Sequence, residues 1–262
     1  MKKLLFTALI AAMVVGLGGA SFSAAGDIAP PAFSDIAGHE AEGELTLMGA
    51  LGIFTGDAGL GGAVKPDDPI TRAQFSKVLV IAAGKASTAA GLAGLEPTFT
   101  DAVPTWAWGY VNCAFFMGII SGYADGSFGA NNPVTYAEAV TMLIRSVTGH
   151  TAQVLPGVWP YNFLFYGVDT GFTGGVDVGF ANLPCARGDM AKMLFATMQI
   201  NKLNAKGESV AGTAMLAGRV FEDIYTGDAV GAHLLSLGDP VYVVGATDYS
   251  ALLGLNVVAV TK

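Results

Sequence analysis

The hexapeptide Pro133-Val134-Thr135-Tyr136-Ala137-Glu138 decides how this chain is read, because it recurs in altered form on either side. Upstream stands Pro69-Ile70-Thr71-Arg72-Ala73-Gln74, and downstream Pro184-Cys185-Ala186-Arg187-Gly188-Asp189. Self-similarity of this kind marks a repeat architecture and takes precedence over any single element. Each copy is preceded by a glycine pair flanking an apolar step: Gly52-Ile53-Phe54-Thr55-Gly56, Gly118-Ile119-Ile120-Ser121-Gly122 and Gly171-Phe172-Thr173-Gly174-Gly175. The first glycine lies 19 residues before Thr71, 17 before Thr135 and 15 before Ala186. A loop of variable length between two fixed elements accounts for that drift. Two copies also open alike, with Phe33-Ser34-Asp35 and Phe99-Thr100-Asp101, an opening absent from the third.

Thr71 and Thr135 stand where a helix N-cap belongs, and Gln74 and Glu138 follow three residues later, the capping-box pattern. Ile70 with Phe75, Val134 with Ala139 and Cys185 with Met190 fill the positions of a hydrophobic staple. In the third copy Ala186 offers no side-chain acceptor, although Asp189 still suits the positive helix end, so that helix is expected to start less firmly. Downstream, Phe75, Val78, Leu79 and Ala82 match Ala139, Met142, Leu143 and Ser146, then Met190, Met193, Leu194 and Thr197. The offsets define one face of an amphipathic helix. His39 to Leu51, Trp106 to Met117 and Trp159 to Val168 are expected to form the first helix of each copy, ending at the glycine pair. The fold class is therefore mainly α. Three helix-loop-helix repeats, over residues 32–84, 98–149 and 155–202, are expected to share a pseudo-threefold bundle, since no single stripe can be buried alone.

The N-terminus has the form of an export signal. Lys2 and Lys3 precede an apolar run from Leu4 to Leu17, and Ser23 and Ala25 suit the −3 and −1 positions of a cleavage site. The run is short for a membrane span, so residues 1–25 are expected to be removed and the remainder to work outside the cytoplasm. Without Lys2 and Lys3 the chain has 11 basic residues against 21 acidic ones. Nucleic acid is thereby excluded as a partner, because phosphate binding needs a basic footprint. Contact with any anionic polymer must be local. Only 13% of residues are charged and 52% are apolar, with 36 glycines, which favours a buried or self-associating surface. Ala102 to Ala124 carries no charge, but Pro104, Gly109, Asn112, Gly118 and Gly122 interrupt it, so no second membrane segment is expected. Cys113 and Cys185 take different places in their copies and are expected to be buried thiols.

Catalytic and metal motifs fail on inspection. His39-Glu40 opens like a zinc-protease motif, but Gly43 stands where the second histidine is needed, and His39, His150 and His233 are scattered. Gly84-Lys85-Ala86-Ser87 lacks the first glycine and the Ser/Thr of a phosphate loop. Asp125-Gly126-Ser127 lacks the later carboxylates of a calcium loop. Glu40, Glu42 and Glu44 begin a repeat helix and are expected to form a solvated face instead of a glycosidase pair. No enzymatic activity, cofactor or metal is expected.

Leu203 to Gly212 has the composition of a linker. Beyond it, Gly218 to Tyr225, Pro240 to Gly245 and Asn256 to Thr261 are short β-rich runs between Gly and Asp turns. Residues 203–262 are therefore expected to form a small β-rich module.

Together the repeated motifs resemble the S-layer homology (SLH) domain family, bacterial modules that usually occur in threes. The second copy carries the resemblance most fully, with Phe99-Thr100-Asp101, Trp106, Gly118 to Tyr123, Asp125-Gly126-Ser127-Phe128 and Pro133-Val134-Thr135. Ile70-Thr71-Arg72-Ala73-Gln74 lies close to the family's Thr-Arg-Ala-Glu motif, and Arg187-Gly188-Asp189 retains part of it. The resemblance implies grooves between repeats that bind secondary cell wall polysaccharide, often with pyruvylated sugars, in a wall-anchored or surface-layer protein. By position, Arg72 and Arg187 are the candidates for anion contact, and Gln74, Glu138 and Asp189 hold the acidic position of the motif. A guanidinium can fork two hydrogen bonds to a carboxylate while the helix end adds positive potential. Trp106 is a candidate for stacking on a sugar face, and Asp35 and Asp101 for taking hydroxyl hydrogen bonds. The alternative for the arginines is an inter-repeat ion pair, and for the two aspartates a turn or helix-entry cap. Tyr136 replaces the arginine in the second copy and Ala186 the threonine in the third. Two other functions remain open at this point: the attachment region of an exported hydrolase, and an envelope tether or assembly subunit.

Overall fold

A computed structural model describes residues 33–56, 61–148, 155–203 and 209–210. The expected export signal, residues 1–25, lies outside the described residues. So does the expected β-rich module, apart from Leu203, which forms an isolated bridge with Ser209, and Val210.

Seven α-helices carry the described chain: α1 Glu42–Ala50, α2 Arg72–Ala82, α3 Ala86–Leu92, α4 Trp108–Phe116, α5 Tyr136–Thr148, α6 Tyr161–Asp169 and α7 Arg187–Met198. A 3-10 turn, Thr105–Ala107, leads into α4. Among the described residues the extended pairings are isolated bridges, not strands. The caps explain where the longer helices begin. Thr71 accepts from the Gln74 amide while the Gln74 side chain accepts from the Thr71 amide. Thr135 and Glu138 make the same reciprocal pair. Ala186 has the extended backbone of an N-cap without a side-chain bond.

Two expectations need correcting. The first helices start two or three residues later than the sequence suggested, at Glu42, Trp108 and Tyr161, leaving Glu40, Trp106 and Trp159 ahead of them. Helix α3, which the sequence pattern does not announce, fills the link between the first two segments. Its Ala89 carbonyl passes so close to Gly109 that a Cβ there would sit 2.1 Å from the oxygen, so the tight α3–α4 crossing requires glycine.

Helix α4 packs on α2, α6 on α5, and α1 on α7. The first helix of each segment thus lies on the second helix of the segment before it, and the first segment closes the circle on the last. The stripes read from the sequence meet in one continuous core, in which Phe75, Leu79, Leu143, Met190 and Leu194 are fully buried. Each such side chain contributes about 1.5–3 kcal/mol through burial. Cys113 and Cys185 are buried free thiols, as expected.

Backbone hydrogen bonds close the same circle at the helix starts. The Ile70 amide donates to the Cys185 carbonyl at 3.2 Å, Cys185 to Val134 at 2.7 Å, and Val134 to Ile70 at 2.9 Å. Bridges pair Pro69 with Ala186, Thr71 with Pro133, and Thr135 with Pro184. Each proline, which has no amide to donate, precedes the residue that does. The three hexapeptides therefore form one closed ring, and the residues just after it project into the spaces between segments.

Candidate inter-repeat saccharide clefts

Immediately after each cap, a long side chain crosses to the acidic position of the next segment. Arg72 donates to Glu138 at 3.1 Å and to the Phe128 carbonyl at 2.8 Å, with its guanidinium carbon 4.5 Å from the Tyr123 ring centre. Tyr136 donates to Asp189. Arg187 donates to the Gln74 amide oxygen and to the Val64 carbonyl, both at 3.0 Å. Phe128 and Val64 are equivalent: Asp101 accepts from the amides of Phe128 and Gly129, and Asp35 from those of Val64 and Lys65. Each aspartate thus pins a loop nearly 30 residues downstream, neither a local turn nor a helix entry. Burial opposes the charge on Asp101, but the amides of Phe128 and Gly129 outweigh it and hold the pKa below the usual carboxylate value.

Helix starts contribute less free positive potential than the sequence suggested. Their first two amides donate to loop carbonyls of the neighbouring segment: Arg72 and Ala73 to Asn132 and Ala130, Tyr136 and Ala137 to Leu183 and Ala181, Arg187 and Gly188 to Asp68 and Pro66. The capping side chain takes the next amide in the first two copies. Any positive charge offered there comes from side chains.

One cleft brings several of these side chains to a common space. A hollow of about 270 Å³ is lined by Gln74, Lys77 and Val78 of α2, by Ile53 to Thr55, Val64 and Ile70 of the first segment, by Trp106 of the second and by Arg187 of the third. Trp106 is 51% exposed. By contrast, Trp108 is half-buried and donates to the Val103 carbonyl, which separates the two tryptophans into surface and packing roles. An apolar ring beside an amide and two cations is a setting in which a sugar can stack and an acidic substituent can pair.

Of the eight residues singled out from the sequence, Gln74, Arg187 and Trp106 share this cleft. Arg72 and Glu138 form a pair at the next boundary, where Arg72 is only 6% exposed, and Asp189 lies at the third. Asp35 and Asp101 stand behind the loops. Lys77, Lys192, Glu40 and Trp159 were not singled out, yet each stands at a boundary. The signal was present: Glu40, Trp106 and Trp159 each lie 12 residues before the first glycine of their copy, and Lys77, Thr141 and Lys192 each lie six after the cap. Among the described residues, no group of His, Cys, Asp and Glu could hold a metal ion, and no helix is long and apolar enough to cross a membrane.

Fold and boundary contacts together define a helical repeat module whose segments meet around one ring. The family model of the S-layer homology domain matches residues 32–76 and 98–140, so the chain carries two segments of that family. It is 33% identical over 205 residues, 77% of its length, to the middle cell wall protein of Brevibacillus brevis, and 34% identical over 179 residues, 68% of its length, to the surface layer protein of Brevibacillus choshinensis. A cell surface protein of Thermoanaerobacter kivui is 26% identical over 75% of the chain. The chain spans only 18%, 15% and 27% of these three relatives. It is related to cell-surface and surface-layer proteins.

Proposed function

We propose that this chain holds an exported protein at the bacterial cell surface by binding secondary cell wall polysaccharide, pyruvylated forms included, in the clefts between its segments, without catalysis. The third segment, 155–202, is read as a third copy of the repeat, giving a pseudo-threefold assembly. In support, Tyr136, Arg187 and Arg72 make equivalent contacts across the three boundaries, and the ring of backbone bonds treats the segments alike. The observation that carries the binding reading is the cleft uniting Trp106, Gln74, Lys77 and Arg187. The relatives' names, a cell wall protein and a surface layer protein, accord with attachment at the wall.

Sedimentation with purified cell walls tests this. Residues 26–262 are expected to pellet with native walls and to stay in solution when the secondary polysaccharide has been stripped. Equal binding to both preparations, or to neither, overturns the proposal.

A further inference from the structure

The three boundaries between segments occupy equivalent places but differ in charge. At the first stand Lys77 and Arg187, facing Gln74 and Trp106. Arg187 is held by neutral oxygens, and neither cation forms an ion pair among the described residues. At the second, Arg72 is already paired with Glu138, which also accepts from the Tyr123 hydroxyl. There Thr141 replaces the lysine and accepts from the indole of Trp159, the counterpart of Trp106. At the third, Lys192 is bracketed by two carboxylates, Glu40 at 2.5 Å and Asp189 at 3.7 Å. Glu40 stands there in the place of Trp106, and Tyr136 in the place of the arginine. The formal charge of these groups is +2 at the first cleft, zero at the second and −1 at the third.

Building on the wall-binding reading, we propose that the first cleft is the acidic-saccharide site of this chain, and that Glu40 closes the third by supplying the carboxylate a ligand would bring. The physical reason is competition. A carboxylate entering the first cleft gains two cations that have no carboxylate partner among the described residues, Lys77 lying only over the Tyr110 ring at 5.8 Å. At the second it must displace Glu138 from a nearly buried arginine, and leaving a buried charge unpaired is costly. At the third it meets a net negative field and finds no indole to stack on. The chain therefore takes one acidic saccharide, although it has three similar boundaries. Trp106, Lys77 and Arg187 determine which boundary is used.

Calorimetric titration of residues 26–262 with an oligosaccharide fraction released from purified walls tests this, with the same fraction methyl-esterified at its carboxylates as control. The expected result is one site per chain, quenching of Trp106 fluorescence that is lost in Trp106→Phe, and affinity lowered roughly tenfold or more by esterification, Lys77→Gln or Arg187→Gln, the scale of one lost charged hydrogen bond. Thermal melts of the two cation variants establish that they remain folded; Lys77→Gln is the milder change, since Lys77 holds no ion pair. The triple variant Glu40→Trp, Tyr136→Arg, Asp189→Gln writes the first-cleft set into the third and is expected to raise the stoichiometry to two. Two or three sites in the unaltered chain, or affinity indifferent to Lys77→Gln, overturns the assignment while leaving wall binding intact. A folded triple variant that still takes one ligand overturns the role given to Glu40. No binding of either fraction by the unaltered chain overturns the wall-binding reading itself.

Discussion

Tyr136 donates its hydroxyl hydrogen bond to Asp189 across the boundary between the second and third segments, where the other two boundaries use an arginine. Burial first, and the bond to Asp189 second, push the phenol's pKa up, so it remains a proton donor throughout the ordinary pH range. Tyr136→Phe removes the donor and leaves Asp189 to Lys192 alone. A hydrogen bond to a charged group is worth about 1.5–3 kcal/mol, and partial access of water to Asp189 favours the lower end. Chemical denaturation is expected to show that loss in Tyr136→Phe and a smaller one in Tyr136→Arg, which can fork to the same carboxylate. A phenylalanine variant as stable as the parent contradicts the latch.

Arg72 binds differently, through its fork and its flat face at once. It donates to Glu138 and to the Phe128 carbonyl, and its guanidinium lies 4.5 Å from the Tyr123 ring centre and 5.2 Å from that of Phe128. Arg72→Met leaves Glu138 half-buried with only Tyr123 and its own cap to satisfy it, and a broken buried pair costs about 3–5 kcal/mol. Arg72→Lys keeps the charge but supplies neither the planar stack nor two aligned donors. Both variants are therefore expected to melt well below the parent. Full rescue by lysine would show that charge alone matters.

Much of this architecture was legible in the sequence, for a definite reason. Thr71, Gln74, Thr135 and Glu138 are local signals: a cap and its partner lie three residues apart, so the chain itself specifies the contact. The apolar stripes after them have the same locality. What escaped reading was whatever depends on the next segment along. Nothing near Glu40 announces that its partner is Lys192, and nothing near Asp101 announces that it will hold the amides of Phe128 and Gly129. Helix α3 was missed because Lys85 gives it no side-chain cap and its residues carry no long apolar stripe. Arg72 and Arg187 are marked by the motif, but which neighbour each meets is decided only by packing around the ring.

Asp101 gives a pH signature with a definite sign. Its pKa is depressed in the folded chain below the ordinary 3.8, so the unfolded chain binds the proton more readily. The stabilisation it provides is complete above that ordinary value and is lost as pH falls through the lower folded value. Asp101→Asn loses the charge at every pH while keeping one acceptor oxygen for the Phe128 or Gly129 amide. Thermal melts at stepped pH are expected to show the variant below the parent at neutrality, with the gap narrowing under pH 4 as the parent's carboxylate takes up its proton. A constant gap down to pH 2 would remove Asp101 from the acid transition.

Ala186 offers the opposite opportunity, a gain of stability from a single oxygen. Its backbone already has the extended N-cap conformation, φ −69 and ψ 150, close to that of Thr71 at φ −82 and ψ 159. Only the side-chain acceptor is absent, so the α7 amide equivalent to those of Gln74 and Glu138 lacks the hydroxyl that serves them. Because the conformation is in place, serine at this position adds the bond without rearranging the Pro69 bridge. Replacing an uncapped alanine with serine is worth about 0.5–2 kcal/mol. Ala186→Ser is expected to raise the melting temperature, and Thr71→Ala to lower it by a similar amount. If serine destabilises instead, the third ring position is too tightly packed to admit a hydroxyl, and the alanine is there for space.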